Sequence, residues 1–267
     1  MFVLVTFVTT LVAQEKLRGN KIIITKDRGI SSFDAIEVKG KIEVILTQCN
    51  NQSVTVETDE NLQFAVITEV RDDTLIINLS KRIVRKKVLN IYVTIDEYIN
   101  KITTKDKAKI TADGLFHFSF LTIDAEGDSK ITMDIKSEQF ILNNKESANV
   151  NFSVNAENIT INANKTGKSK INLSANTVEI LTQGNSTTEL KGDYIDIFIT
   201  SENKSNVKAS ELECDDAIVN ASDVSDVRIN SNTSIIISAT NSAEVYIYDN
   251  PKITLEKFID KAILRKK

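Results

Sequence analysis

The chain has 267 residues, 41% of them hydrophobic and 6% aromatic, and its 33 basic and 37 acidic residues leave a formal net charge of −4. The hydrophobic fraction is that of a folded protein and excludes a disordered chain. The acidic balance argues against a nucleic-acid-binding protein, which needs a dense basic surface. One histidine, one proline and no tryptophan leave few of the side chains that usually perform catalysis or recognition.

The N-terminal segment 1–13, MFVLVTFVTTLVA, is an apolar run followed by polar sequence. About a dozen apolar residues are too few to span a bilayer but match the core of a signal peptide. Ala13 and Leu11 form a small-residue cleavage site before Gln14, although Phe2 stands where a basic residue is expected. We therefore predict an exported protein, periplasmic or on the cell surface. A buried first strand is the alternative for this segment.

A short internal repeat occupies residues 105–255. A residue that follows a small polar one, and is apolar in every unit except at Thr188, recurs at Ile131, Val150, Ile171, Thr188, Val207, Val227 and Val245. The successive differences between these residue numbers are 19, 21, 17, 19, 20 and 18. A second apolar column follows two positions later, at Met133, Phe152, Leu173, Leu190, Ala209, Ile229 and Ile247. Each unit also has a second alternating segment, from FIL at 140–142 to ITL at 253–255.

Period-two alternation in short segments predicts strands with one buried face each. A unit of this length cannot bury that face alone, but it can when it is stacked on copies of itself. Neither a helical period nor the L-x-x-L-x-L pattern of leucine-rich repeats is present. The sequence therefore predicts an all-β fold, a right-handed parallel β-helix (β-solenoid) with one rung per repeat. In this alignment Ile171 is level with Val150 and Thr188.

The junctions between units are rich in Asn, Ser and Gly, which we expect at the corners of the rungs. Gly and Asn tolerate a left-handed backbone, and Asn and Ser side chains bond nearby backbone groups. Stacked Asn residues have two possible places: amide ladders inside the solenoid, or turns that face solvent.

Four parts follow the segment 1–13. Residues 14–29 form a lead-in, and residues 30–104 form a head of alternating strands continuous with the solenoid. The repeat rungs occupy residues 105–255, and residues 256–267 are a basic tail. Because an open solenoid end exposes unpaired strand edges, we expect this tail to cover the last rung.

The head contains, in order, FDAIEVKGKIEVILTQ, VTVETDENL, EVRDDTLIINL and IYVTIDEYINKITTKDKAKI, which leads into the repeats. Together these segments resemble the head GIN domain of putative auto-transporter adhesins, a family common in Bacteroidetes, over essentially the whole mature chain. The chain departs from the family at Asp96, where Pro is frequent, near Lys105, where Gly is frequent, and at Cys49, where Gly is common. The resemblance implies an exported β-helical protein of adhesin type and supplies no catalytic residues.

One acidic segment, ECDDAIVNASDVSDVR, is a candidate metal site. Its candidate calcium ligands are Asp215, Asp216, Asp223 and Asp226, with Glu213 nearby. Stacked rungs can gather carboxylates into the oxygen-rich sites that calcium prefers. β-Helical polysaccharide lyases use such carboxylates with a basic residue, here Arg228. The alternative is that these aspartates lie at turns and are simply solvated.

Other single residues are weaker candidates. His117, the only histidine, is flanked by two Phe and is expected to face solvent from a strand. Cys49 and Cys214 are far apart, and we favour two buried thiols over a disulfide. Candidates for stacking against sugars are Tyr194, Tyr246 and Tyr248.

We therefore interpret the chain as an exported, non-catalytic binding, adhesion or structural module that needs no cofactor. A rigid solenoid that displays rows of polar side chains suits contact with a polysaccharide or another cell-surface protein through many weak interactions. Two alternatives remain. One is a carbohydrate-active enzyme that uses the acidic segment, and the other is a scaffold that forms homo-oligomers through solenoid faces or ends.

Overall fold

The computed structural model describes residues 16–267. For residues 194 and 195 it describes the backbone but not the side chains. It is a parallel β-solenoid of about nine turns whose rungs are about 19 residues apart, which confirms the predicted fold class. The signal peptide predicted at residues 1–13 lies outside the described residues. Between residues 16 and 267, no helix is long and apolar enough to cross a bilayer.

Twenty strands and one 3-10 helix, Glu60–Ala65, build the described chain. The first ten strands are β1 (Lys16–Arg18), β2 (Ile23–Arg28), β3 (Ala35–Lys39), β4 (Glu43–Gln48), β5 (Ser53–Asp59), β6 (Val66–Arg71), β7 (Thr74–Leu79), β8 (Arg82–Arg85), β9 (Leu89–Ile95) and β10 (Lys101–Lys105). The others are β11 (Lys109–Ala125), β12 (Lys130–Asn144), β13 (Asn149–Ala163), β14 (Lys168–Thr182), β15 (Thr187–Ser201), β16 (Asn206–Ala221), β17 (Asp226–Ala239), β18 (Glu244–Tyr248), β19 (Lys252–Phe258) and β20 (Ile263–Lys266).

The head strands close one end of the solenoid. β5 pairs antiparallel with both β2 and β9, and β6 pairs antiparallel with β7. β3 and β4 pair in parallel with β10 and β11, so the head and the repeats share one 18-stranded sheet. β1 and β8 form a separate two-stranded parallel sheet.

Each long strand contains a bend. In β12, buried and exposed residues alternate up to Ser137, two exposed residues follow at 138–139, and alternation resumes at Phe140. Phe140 and Leu142 are fully buried, as predicted for the second segment of a unit. Stacking these inward positions, rung upon rung, makes one continuous apolar core.

Each turn between rungs holds one residue with a positive φ angle. These residues are Asp106, Gly127, Glu146, Lys165, Gly184, Asn203, Asp223, Asn241 and Asp260. The Gly and Asn positions agree with the predicted corners. A Cβ atom on Gly184 would lie 2.9 Å from the backbone of Lys165 on the previous rung, because the turns stack closely.

The strand register corrects the predicted alignment at one rung. Val150 is level with Ser169, not with Ile171, and Ser169 is in turn level with Thr188. At this position the register partners from β12 to β16 are therefore uniformly 19 apart in the sequence, where the apolar alignment had 21 and 17. Ser169 is only 1% exposed, and its Oγ accepts a hydrogen bond of 2.9 Å from Asn144 Nδ2. A search for apolar residues misses this inward position because a polar residue occupies it.

Replacing Ser169 by valine should lower the free energy of unfolding by about 1–3 kcal/mol, although valine is the more apolar residue. The buried amide of Asn144 would lose its acceptor inside the core. Adding Asn144→Ala should recover most of the loss, because alanine stands at the same register in the neighbouring strands, at Ala125 and Ala163. Urea unfolding of the wild type, both single variants and the double variant measures this coupling. A Ser169→Val protein as stable as the wild type would contradict the expectation.

The C-terminal residues extend the solenoid, and residues 263–266 pair with β18, which carries Val245 and Ile247. β19 pairs in parallel with β17, and β20 pairs in parallel with β18, so both strands belong to one more, incomplete rung. Ile253 is 40% exposed and Leu255 48%, whereas Ile235, the register partner of Ile253, is 0% exposed. The inward column is thus left open at this end because no further rung packs on it within the described residues.

Candidate binding groove

A concave groove with a volume of about 660 Å³ runs across several rungs at their bends. We call it the bend groove. It is lined by Glu97, Tyr98, His117, Phe118, Ser119, Lys136, Ser137, Glu138, Asn155, Ala156, Glu157, Ser174, Ala175 and Asn176.

Two columns of polar side chains follow from the register. The first column consists of His117, Lys136, Asn155 and Ser174. The second consists of Ser119, Glu138, Glu157 and Asn176, two positions further along each strand. Since parallel strands lie about 4.8 Å apart, each column presents a hydrogen-bonding group at regular intervals along the solenoid.

Small inward side chains lie between the two columns. Phe118 of β11 is level with Ser137 of β12, which is level with Ala156 of β13. We attribute the concavity to this change from a large residue to small ones, because short side chains fill less of the space beneath the bend. The Ser137 hydroxyl is buried and has no hydrogen-bond partner.

Tyr98 stands at one end of the bend groove, on the turn that follows β9. It is 75% exposed. Its backbone N–H donates to Asp96 Oδ1 at 3.0 Å, and Asp96 Oδ2 accepts from Gln52 Nε2 at 3.0 Å. The turn is therefore held from both sides, and the tyrosine offers a ligand an apolar ring and a hydroxyl group.

His117 faces solvent from β11, which confirms the prediction. Its backbone N–H donates to Gln48 Oε1 at 2.7 Å, and its carbonyl accepts from Gln48 Nε2 at 2.8 Å. The side-chain amide of Gln48 thus takes the place of a neighbouring strand. A second concavity of about 560 Å³, also lined by Cys49, Asp96 and Tyr98, adjoins the bend groove here.

The bend groove carries more negative than positive charge. Glu97, Glu138 and Glu157 line it, against the single cation Lys136. Within residues 16–267, no three His, Cys, Asp or Glu side chains are grouped so that they could hold a metal ion. The arrangement suits hydrogen bonding to a neutral, hydroxyl-rich ligand, because a polyanion would be repelled.

The four predicted calcium candidates lie at three different places on their rungs. Asp215 and Asp216 are at the bend of β16, Asp223 is in the turn after β16, and Asp226 begins β17. Residues 217–221 separate the bend from the turn, so these two places are roughly 20 Å apart along the extended chain. The structure does not bring the four carboxylates together.

Nearby side chains engage these aspartates separately. Asp216 Oδ1 accepts from Ser234 Oγ at 2.6 Å. Asp226 forms an ion pair of 3.1 Å with Arg228, the basic residue of the lyase alternative. That alternative needs Arg228 and several carboxylates in one groove, and this arrangement is not present among the described residues.

Asn and Asp side chains form a ladder along the exposed turns. Asp223 accepts from Asn203 Nδ2 at 2.9 Å and from Asn241 Nδ2 at 3.0 Å. On the flank of the solenoid, a part-buried ladder joins Asn162 Nδ2 to Asn143 Oδ1 at 2.9 Å. The turn residues thus follow the solvent-facing alternative.

Tyr246, a predicted sugar-stacking residue, is covered by cations. The centre of its ring is 5.3 Å from the Arg228 guanidinium, 5.9 Å from that of Arg265 and 5.5 Å from Lys267 Nζ. Its hydroxyl donates to Glu244, and this hydrogen bond raises the pKa of Tyr246. These contacts occupy the ring that a sugar would need.

Two more predictions concern single residues. The side chain of Tyr194 lies outside the described part of the structure. Cys49 is exposed and Cys214 is buried, and no disulfide joins them, so the prediction of two buried thiols is correct for Cys214 alone.

Sequence reasoning missed the bend groove as a site. Tyr98 stands in the middle of a strand-like pattern and attracts no attention there. The available signal was the regular recurrence of outward polar residues, such as Lys136, Asn155 and Ser174, which the search for apolar columns passed over.

The sequence profile of a family described as "Putative auto-transporter adhesin, head GIN domain" matches residues 32–171 and 142–251. The chain belongs to this family. The membership confirms the predicted resemblance, and it makes the protein a member of an adhesin-type family of binding or adhesion modules. No curated protein is significantly similar to it in sequence.

Several solved structures have the same fold as this chain. A putative adhesin from Parabacteroides merdae matches with a TM-score of 0.70 and 14% identity over 96% of this chain and 100% of its own. A putative lipid binding protein from Parabacteroides distasonis matches with a TM-score of 0.65 and 18% sequence identity, over 95% of this chain and 100% of its own. A putative adhesin from the same species, Parabacteroides distasonis, matches with a TM-score of 0.61 and 12% sequence identity, over 94% of this chain and 100% of its own. At these identities the likeness shows the fold alone.

Proposed function

We propose that the protein is an exported, non-catalytic adhesin-type module that binds a neutral, linear polysaccharide along the bend groove. The observation that carries this proposal is the pair of polar columns with the exposed ring of Tyr98 at one end. A sugar ring needs an apolar face to pack against and hydrogen-bonding groups around it. Tyr98 supplies the first, and side chains such as Asn155 and Asn176 supply the second.

The repeat favours a polymer over a small molecule. Every rung adds one residue to each column, so a chain that lies along the solenoid makes similar weak contacts several times. Linked weak contacts give a total affinity well above that of each contact. The carboxylates of Glu97, Glu138 and Glu157 favour a neutral polymer over an acidic one.

Export and a non-catalytic role have separate support. The apolar segment 1–13 has the length of a signal-peptide core, and the family is named for adhesins. The aspartates that a lyase would need in one place lie at separate bends and turns. Protease treatment of intact cells tests export: degradation of the protein on whole cells supports a surface location, and protection until the envelope is opened supports the periplasm.

Replacing Tyr98 by alanine should weaken binding to a neutral polysaccharide about tenfold, because the apolar platform for the sugar ring is lost. The measurement is affinity electrophoresis against a panel of neutral polysaccharides, followed by calorimetry with the best ligand. Tyr92→Ala is the matched control, since Tyr92 is also an exposed tyrosine but lies outside the bend groove.

Equal affinities of Tyr98→Ala and the wild type would show that the polysaccharide binds elsewhere. A wild-type protein that binds none of the neutral polysaccharides, but does bind a purified cell-surface protein, would replace the polysaccharide by a protein partner. Thermal unfolding of both variants shows whether any loss of binding comes from a loss of folding.

A further inference from the structure

A second groove with a volume of about 660 Å³ lies on the head, beside β8 and the adjacent ends of β7 and β9. We call it the basic groove. Five cationic residues line it: Lys41, Lys81, Arg82, Arg85 and Lys86. No carboxylate is among its lining residues in the described part of the chain. It is separate from the bend groove, with which it shares no lining residue.

The backbone beside this groove is anchored to a buried carboxylate. Asp59 is 0% exposed, and its Oδ2 accepts from the backbone N–H of Lys87 at 2.8 Å. Its Oδ1 accepts from the backbone N–H of Lys21 at 2.6 Å. The backbone next to Lys86 is thus anchored to the core.

Two of these cations, Lys41 and Lys86, lie close enough to repel each other. Partial desolvation and the nearby charge of Lys41 lower the pKa of Lys86. Glu43 acts in the opposite direction, but its carboxylate is 2.7 Å from Lys109 Nζ, with which it forms an ion pair. The repulsion between Lys41 and Lys86 is a cost that a bound anion would remove.

The remaining lining residues of the groove are aliphatic: Leu79, Ile83, Val84 and Leu89. Val84 is 42% exposed, and Ile83 and Val84 together stand between two arginines in the sequence RIVR. Branched aliphatic side chains pack against hydrocarbon and do not offer the flat ring on which sugars stack. Cations that surround an aliphatic surface are the chemistry that recognises an anionic amphiphile.

We propose that the basic groove binds an anionic phospholipid, with its phosphate against Lys41, Arg82 and Lys86 and the adjoining hydrocarbon against Ile83 and Val84. This site goes beyond the proposed polysaccharide binding, since it lies on a different surface and recognises a different ligand. It would hold the head against a negatively charged membrane and leave the bend groove accessible.

Co-sedimentation of the full chain with lipid vesicles tests the proposal. The wild type should bind vesicles of phosphatidylcholine mixed with phosphatidylglycerol, and bind pure phosphatidylcholine vesicles at least tenfold more weakly. Each cation near an anionic surface contributes about fivefold to the affinity, so Lys41→Gln/Lys86→Gln should lose about 25-fold. Added salt should weaken the wild-type binding, because it screens the same charges.

The matched control is Lys107→Gln/Lys165→Gln, which makes the same change in net charge on exposed turns of the solenoid. It should keep most of the affinity for anionic vesicles. Val84→Ser should weaken vesicle binding several-fold with no change in charge. All variants should retain the wild-type unfolding temperature and the binding of neutral polysaccharide, which distinguishes failure at this groove from failure at the bend groove.

Other outcomes would overturn the proposal. Equal loss in both double variants would show that only the net charge matters. Equal binding to neutral and anionic vesicles would exclude recognition of the phosphate. Tight binding of inorganic phosphate without vesicle binding would make the groove a site for a soluble anion, and binding of polygalacturonate in place of vesicles would assign it to an acidic polysaccharide.

Discussion

Replacing Ile235 by alanine should lower the free energy of unfolding by about 2–5 kcal/mol, whereas Ile253→Ala should change it by less than about 0.5 kcal/mol. The two isoleucines occupy the same position on consecutive rungs and are register partners. Ile235 is covered by the rungs on both sides and is 0% exposed. Ile253 is 40% exposed, because no described rung packs beyond it. The same chemical change therefore leaves a cavity in one case and little in the other.

Urea unfolding followed by circular dichroism measures both variants. Because each rung contacts only its neighbours, hydrogen exchange should also become faster in β17 and β19 of the Ile235→Ala protein. Equal losses from the two substitutions would mean that Ile253 is covered in solution, and that the C-terminal end is closed by another chain.

Replacing Asp59 by asparagine should lower the free energy of unfolding by about 2–3 kcal/mol at neutral pH. The carboxylate accepts from the backbone N–H groups of Lys21 and Lys87. An amide of the same size offers one acceptor oxygen where the carboxylate has two, so one buried N–H group would then face a donor. The loss should be visible as a lower urea midpoint, with Asp113→Asn, at an exposed residue of β11, as the control.

The same variant has a pH signature. Burial alone would raise the pKa of the Asp59 carboxyl, but the backbone hydrogen bonds from Lys87, Lys21 and Val88 together lower it below its ordinary value. A lowered folded-state pKa adds stability that is fully present above the unfolded-state value of about 3.9 and is lost as the pH falls through the folded-state value. The difference between wild type and Asp59→Asn should therefore shrink below about pH 4. A difference that stays constant from about pH 7 to about pH 3 would contradict this account.

Where sequence patterns and structure agree, the interactions are local or repeat at a fixed interval. The alternation in segments such as 131–135 predicts strands, because inward and outward residues alternate along any strand. The same inward pair recurs one rung later, at Val150 and Phe152, because each rung must cover the one before it. The family resemblance added the head, whose antiparallel pairs have no repeat to reveal them.

The disagreements arise where an inward position is polar or where a rung has no successor. The buried hydroxyl of Ser169 accepts a hydrogen bond from Asn144 of β12, two strands earlier, and a search for apolar residues cannot detect that hydrogen bond. Leu255 continues the apolar pattern of the core residues and yet is 48% exposed. Its burial would need a further rung to cover it, which the residue type alone does not provide.

The amino-acid sequence alone was sufficient for the β-solenoid and its repeat length, because these depend on a periodicity that neighbouring residues already contain. The family came from a resemblance in the segments of the head. The sequence could not reveal the two grooves. The bend groove joins Tyr98 to residues near 117, 136, 155 and 174, and its concavity depends on which side chains are small at the bend. The basic groove joins Lys41 to residues between 79 and 89. Contacts between such distant residues form only when the chain is folded, so the surfaces that we propose for binding come from the tertiary structure.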